Sequence, residues 1–358
     1  MGIFMKLKKL FMAITLGSGL FFSTLAHADR QITDQLGREV TIPDAVNRVV
    51  VLQHQTLNII NQLDGMKDVV GVLSSWEKDL GENYLRLAPS LKNMPMPGDL
   101  TNVNIESLMA LKPQVVFVAN YAPESMIKQI TAQGIPVIGI SLRVEPKSQN
   151  NKMNPTLKDP QYAYNEGLKQ GIRLIANVIN KQANGEALIK ATFANQKLIK
   201  ERLANLKPEQ RVRVYLANPD LHTYGSGKYT GVMMQRAGAV NVAAATLKGY
   251  KAVSMEQVLN WNPQVIFVQN RFPSVYTEIN DSDSWKWLKA VKDHQVYLMP
   301  QYAKAWGYPM PEAVALGELW MAKTLYPQRF KDVDLAKKVQ DYYHQFYRTN
   351  YIAAPNVK

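Results

Sequence analysis

Residues 105–123 read IESLMALKPQVVFVANYAP and residues 255–273 read MEQVLNWNPQVIFVQNRFP, a repeat at a constant spacing of 150 residues with no gap. Each copy predicts a short helix, a proline stop and a continuous apolar strand. A strand without polar alternation is buried on both faces, as in a parallel sheet covered by helices. A chain that carries such a unit twice is expected to build two α/β lobes with parallel-rich sheets. Its 358 residues are too many for one compact core and suit two lobes of roughly 130–170 residues.

The elements around the repeat are duplicated as well. Arg48–Leu52 predicts an opening strand, followed by a helix near Thr56–Leu63 and a strand at Val69–Leu73. Val212–Ala217 opens the second unit, followed by a Gly-rich turn and a helix near Thr230–Ala237. Closing strands are expected at Pro136–Ser141 and Gln295–Pro300. Between the units, residues 159–180 and 185–206 carry apolar positions at helical spacing, and Lys207-Pro208 stops the second run. Twenty-two helical residues span about 33 Å, enough for a stiff rod between lobes. The expected organisation is a first lobe at 29–183, an inter-lobe helix at 184–207 and a second lobe at 208–358. The polar segment Glu145–Asp159 reads as a surface loop, and the aromatic tail Leu335–Tyr351 as packing on the second lobe.

Residues 1–28 are expected to be a signal peptide. Lys6, Lys8 and Lys9 precede an apolar run from Leu10 to Leu25, and Ala26-His27-Ala28 offers a small-x-small cleavage site. A run of about 16 residues is short for a membrane span. Cleavage after Ala28 leaves Asp29 as the mature N-terminus, in a periplasm. The absence of cysteine excludes disulfides, thiol-ligated metal and a lipid-modified N-terminus, so the protein is not expected to be a lipoprotein. The formal charge of +13 falls to +10 without the three leader lysines. Those cations are scattered rather than clustered, which with export argues against nucleic acid and leaves a basic surface or a small anionic ligand.

These residues resemble the iron-chelate and vitamin B12 family of periplasmic binding proteins of ABC importers. The likeness covers nearly the whole mature chain. Asp34-Gln35-Leu36-Gly37-Arg38, Pro43 and Arg48-Val49-Val50 look like the family's opening strand pair. Asn104-Ile105-Glu106-Ser107-Leu108 and Ser254-Met255-Glu256-Gln257-Val258 look like its two docking helices. The resemblance implies a class III periplasmic binding protein: two Rossmann-like lobes joined by one long rigid helix. It also implies that Glu106 and Glu256, one repeat apart, dock on arginines of an inner-membrane permease–ATPase complex. A carboxylate in the first turn of a helix equally suits the helix dipole. The phrases VLQHQTLNI, PDLHTYGSGKYTG and YAKAWGYPMPEA are similar to the family's molybdate- and tungstate-binding branch, whereas other members carry ferric siderophores, haem or cobalamin.

Ligands of open α/β sheets bind beyond the carboxyl ends of the strands. The candidates there are His54 and Gln55 after the first strand, Trp76, Tyr121 after the repeat strand and Arg143 after the closing strand. The second lobe offers His222, Tyr224, Gly225, Ser226 and Tyr229 in the Gly-rich turn, then Arg271 and Trp306. Helix N-termini and close backbone approach at glycine favour an oxyanion, and guanidinium groups suit an oxyanion or an anionic ferric chelate. The turn is no P-loop, because His222 stands where the first glycine is required and Tyr229 follows Lys228. No nucleophile–base pair, cofactor motif or dense His/carboxylate cluster is present, so no catalytic residue, cofactor or bare metal site is expected. The expected role is a monomeric binding protein delivering molybdate or tungstate to its permease, with a ferric siderophore or related chelate as the alternative ligand.

Overall fold

The computed structural model describes residues 29–144 and 146–353; the leader 1–28 and its cleavage point lie outside them. In the first lobe β1 (Asp29–Thr33) and β2 (Glu39–Pro43) form an antiparallel hairpin, and β3 (Val49–Leu52), β4 (Val69–Val72), β5 (Val115–Ala119) and β6 (Val137–Ile140) form a parallel sheet. In the second lobe β7 (Arg213–Ala217), β8 (His222–Tyr224), β9 (Val240–Asn241), β10 (Tyr250–Ala252), β11 (Val265–Val268) and β12 (Val296–Leu298) divide into a second parallel sheet and the antiparallel pair β8–β10. The sheet orders are β4-β3-β5-β6 and β9-β7-β11-β12, the same topology twice. β3, β5 and β6 are buried at every position, as the absence of alternation in their sequences demands.

The helices of the first lobe are α1 (His54–Gln62), α2 (Trp76–Leu80), α3 (Ile105–Ala110) and α4 (Glu124–Thr131). Three helices follow between the sheets: α5 (Pro160–Val178), α6 (Gln182–Phe193) and α7 (Gln196–Arg202). The second lobe adds α8 (Tyr229–Arg236), α9 (Met255–Trp261), α10 (Pro273–Asp281), α11 (Lys289–Lys292), α12 (Glu318–Leu325) and α13 (Leu335–Tyr347).

The long rod is α5, not the 184–207 stretch. Asp159 caps it by accepting from Tyr162 N, and Pro160 sits at its first position, where a missing N–H costs nothing. Its start meets the second lobe, with Gln161 bonded to Gln235. Its end meets the first, where Asn177 accepts from Arg30. The 184–207 segment is interrupted at Ala194-Asn195, between α6 and α7. Thr192 bonds back to the Leu188 carbonyl, and the buried Asn195 carboxamide donates to Ala315 O, so side chains there compete with a continuous helix.

Two further expectations change. The tail does not stay on the second lobe: from α13, Tyr342 and Tyr347 donate to Gln62 and Asn58 of α1, and Arg348 donates to Asn61 O. Its aromatic face therefore bridges both lobes. Residues 146–159 are a strap rather than a free surface loop. The first lobe's Asn120 and Arg143 donate to the carbonyls of Asn150, Gln149 and Lys152, while the second lobe's Lys228 donates to Met153 O.

Candidate functional site

In each sheet the chain reverses direction of growth between its first and third strands, β3 and β5 or β7 and β11, and a crevice opens at their carboxyl ends. The two switch points face each other. His54 opens α1 directly after β3, and its ring meets the Trp306 indole edge-on at 5.5 Å. Trp306 belongs to the second lobe, on the segment after β12. Arg271, just beyond β11, lies 5.2 Å from the Trp306 ring centroid and donates across the cleft to the Asp79 carbonyl at 3.1 Å. Gln269 holds the same guanidinium through its Nε at 3.0 Å.

His54 is buried, and its Nδ1 lies 3.4 Å from Asp79 Oδ2 without forming a hydrogen bond. Burial lowers its pKa from 6.5 to about 4, with Arg271 acting in the same sense and Asp79 and Asp99 opposing. The imidazole is therefore neutral at pH 7. The Trp306 indole N–H and the Gln55 carboxamide oxygen are also buried without a partner. Turning that carboxamide over presents an N–H in place of the oxygen. Unpaired buried polar groups are costly, and the two on the touching rings of His54 and Trp306 mark a place where something else completes them.

Tyrosines wall the cleft. Burial raises the Tyr121 phenol well above its ordinary value, with Tyr308 and Asp79 adding to the effect. Burial likewise raises Tyr224, opposed by Arg271 and Gln269. Tyr308 donates to Asn120 at 3.2 Å and accepts from Arg143 at 3.2 Å. Beside this cluster a crevice of about 830 Å³ opens between α2 and the start of α10, lined by Ser74, Lys78, Asn270, Arg271 and Phe272 among others.

Not every expected residue joins. The N–H groups of Gly225 and Ser226 are taken by Gly249 O and Leu247 O, and that of Tyr229 by Gly307 O. Gly225 has no room for a side chain, since a Cβ would stand 1.9 Å from Leu247 O. This turn therefore shapes a tight junction and is no open anion cradle. The Tyr229 hydroxyl bonds Glu318, and Tyr229 packs in the core. Trp76 is taken into the core beneath α2. Arg143 is buried and holds the strap and Tyr308. His222 stacks on Tyr250 at 5.1 Å, with Tyr250 between it and Tyr224.

Asp79, Gln269, Tyr308 and Lys304 adjoin this cluster, and sequence reasoning did not single them out. Asp79 lies inside an unremarkable polar phrase. Gln269 had a signal, because it directly precedes the Asn270-Arg271 tip of the repeat, and Lys304 and Tyr308 lie within the phrase YAKAWGYPMPEA. Among the described residues no group of three or more His, Cys, Asp or Glu stands positioned to hold a metal ion.

Comparison with known proteins agrees with this architecture. The chain is 64% identical over 347 residues to the molybdate-binding protein MolA of Haemophilus influenzae, covering 97% of this chain and 98% of that one. The structure of MolA bound to molybdate superposes with a TM-score of 0.90 at 64% identity, covering 91% of this chain and all of that one. A periplasmic solute-binding protein of Veillonella parvula matches with a TM-score of 0.73 at 27% identity, covering 91% of this chain and 94% of that one. The Fe(3+)-citrate-binding protein YfmC of Bacillus subtilis is 26% identical over 75% of this chain and 77% of its own. The two lobes joined by α5 have the class III architecture. With the periplasmic binding protein model matching residues 49–303, this chain belongs to the periplasmic binding protein family.

Proposed function

We propose that the protein captures molybdate or tungstate between its lobes, in the periplasm, and delivers it as a monomer to the permease of an ABC importer. The observation that carries this reading is the buried contact of His54 with Trp306, each bearing an unpartnered polar atom, beside the cross-cleft cation Arg271. A tetrahedral oxyanion accepts hydrogen bonds on all sides, so it can use donors from both lobes at once. The full-length likeness to a molybdate-binding relative supports the same ligand. With Asp79 and Asp99 close to His54, the cleft is not strongly positive. Discrimination then comes from size and hydrogen-bond count more than from charge.

Export follows from the leader, with cleavage after Ala28. Glu106 and Glu256 are both exposed in the first turns of α3 and α9, which leaves them available to basic partners on the permease. A second reading, an anionic ferric chelate, is favoured by the crevice beside Arg271, whose volume far exceeds a single oxyanion.

The test is calorimetric and fluorescence titration of mature, ligand-stripped protein with molybdate, sulfate and ferric citrate. Saturable binding of molybdate with weak or no binding of sulfate is expected, together with a change in tryptophan emission from Trp306. Binding of ferric citrate alone would overturn the oxyanion reading in favour of the chelate.

A further inference from the structure

All nine residues of α1, HQTLNIINQ, are buried, although His54, Gln55, Asn58, Asn61 and Gln62 are strongly polar. A helix of this composition stays in a core only if each polar group finds a partner. His54, Asn58 and Gln62 follow one another at four-residue intervals and therefore share one side. His54 meets Trp306, as described. One turn on, Asn58 Nδ2 donates to Glu312 Oε1 at 2.9 Å; a further turn on, Gln62 Nε2 donates to Glu312 Oε2 at 2.8 Å. Both Glu312 and its ion-pair partner Lys304, at 3.0 Å, have fully buried side chains.

The remaining positions of this network are filled. The Tyr347 hydroxyl lies 2.8 Å from Glu312 Oε1, and Tyr342 donates to Gln62 Oε1 at 2.6 Å. Tyr84 donates to Asn58 Oδ1 at 2.8 Å, and Lys304 also donates to Gln301 O. Burial opposes both charges. It holds the Lys304 ammonium below its ordinary range, while Lys304 and the hydrogen bonds around Glu312 keep that carboxyl ionised. A buried pair of this kind contributes little net stability, yet breaking it is costly, so its effect is to specify one arrangement. The arrangement it specifies joins two segments that also carry the site: α1 with His54, and residues 301–312 with Trp306 two positions after Lys304.

We propose that Glu312, Lys304, Asn58 and Gln62 are positioning residues that clamp α1 to the 301–312 segment and so fix the relative placement of the touching His54 and Trp306 rings, whose polar edges set the donor positions around the anion. The proposal rests on the reading of His54 and Trp306 as ligand contacts. Donors held in fixed positions match one anion radius and leave a tetrahedral anion of another size with some of its hydrogen bonds unmade. Loosened donors adjust to either.

The test is the ratio of molybdate to sulfate affinity in two variants, with melting followed in parallel. The double variant Glu312→Gln/Lys304→Met removes both charges at similar volume. It is expected to stay folded, bind molybdate about 10-fold more weakly and lose about as much selectivity. The milder Tyr347→Phe removes one hydroxyl, should lower the ratio two- to threefold, and decides alone if the double variant does not fold. A purely structural network would lower the melting temperature while leaving the ratio of the folded protein unchanged, and that result would overturn the proposal. His54→Ala in the parent chain separates the two levels. If it leaves molybdate binding intact, the site reading fails and the clamp falls with it; if it abolishes binding, the variant ratios judge the clamp by itself.

Discussion

From Thr101 to Ala119 and from Lys251 to Gln269 the two lobes bury and expose the same positions, with the single exception of Ser107 against Gln257. The likeness reaches individual hydrogen bonds. Asn104 and Ser254 cap α3 and α9 by accepting from the backbone three residues on. Gln114 and Gln264 accept from the backbone of Arg48, just before β3, and Arg213, at the start of β7, and those two arginines donate to Leu111 O and Trp261 O. Lys112 and Asn262 both take positive φ, 47° and 40°, to end the helix. One step beyond the strands the lobes part. Asn120 is buried and bonded to the strap, while Asn270 lines the open crevice; Tyr121 is a wall, while Arg271 is the cross-cleft cation. Duplication persists where both lobes meet the same demand and is lost where they face each other across the cleft. A single anion, as proposed, needs one cation and complementary walls, not two copies of one half-site.

The largest effect should come from the duplicated half. Reversing both exposed carboxylates, Glu106→Lys with Glu256→Lys, should reduce molybdate uptake by cells about 100-fold or more, because like charges would meet at the permease. Calorimetric affinity of the purified protein should stay within about twofold, since neither residue approaches the cleft cluster. If the lobes are equivalent in docking, each single reversal should cost a similar share. Strongly unequal losses would break the comparison, and unchanged uptake in the double variant would remove the docking role.

The diverged half gives the next effect. Arg271→Ala removes charge-assisted donors from the site and should weaken molybdate binding about 10- to 100-fold with little change in melting. Arg143→Ala, in the other lobe, should do the reverse. Its guanidinium ties the strap to Tyr308, so the melting temperature should fall by several degrees while molybdate affinity moves little. Similar binding losses in both variants would restore a symmetrical, two-arginine site.

What the sequence disclosed follows the same division. The repeat, the parallel sheets and the helix over 159–180 were legible because buried strands and amphipathic helices write their burial into local periodicity. His54 and Arg271 stood out because each comes within three residues of a strand end, and Trp306 because it lies on the segment after the last strand. The Gly-rich turn misled, since glycine permits close approach without saying to what; here the neighbour is the Leu247 carbonyl. Arg143 looked like a ligand donor, but its partners come from the strap, which has no periodic signal. The Glu312 network was invisible for a related reason. Its contacts reach across as many as 289 residues, from Asn58 to Tyr347, and only the closed fold brings them together.

The smallest effect on binding separates His54 from His222 by pH. His54, neutral with a pKa of about 4, is protonated more readily in the unfolded chain, near 6.5. Between those values the unfolded state binds more protons, so stability rises with pH and is lost as pH falls from 6.5 toward 4. His54→Gln should remove that component, up to about 3 kcal/mol at the acid end, as read by denaturant melts at several pH values. Ligand binding should work in the opposite sense. An anion beside the imidazole favours its charged form against burial and Arg271, with Asp79 and Asp99 already helping, so binding takes up a fraction of a proton. Molybdate affinity should therefore rise severalfold from pH 7.5 to pH 6, and His54→Gln should flatten the profile. His222, stacked on Tyr250 and bonded at Nδ1 to Pro219 O, stands outside the cluster, and His222→Gln should leave the profile as it is. A profile governed by His222 would put the ligand against the second lobe's edge. One governed by His54 puts it at the first lobe's α1, where the diverged halves meet.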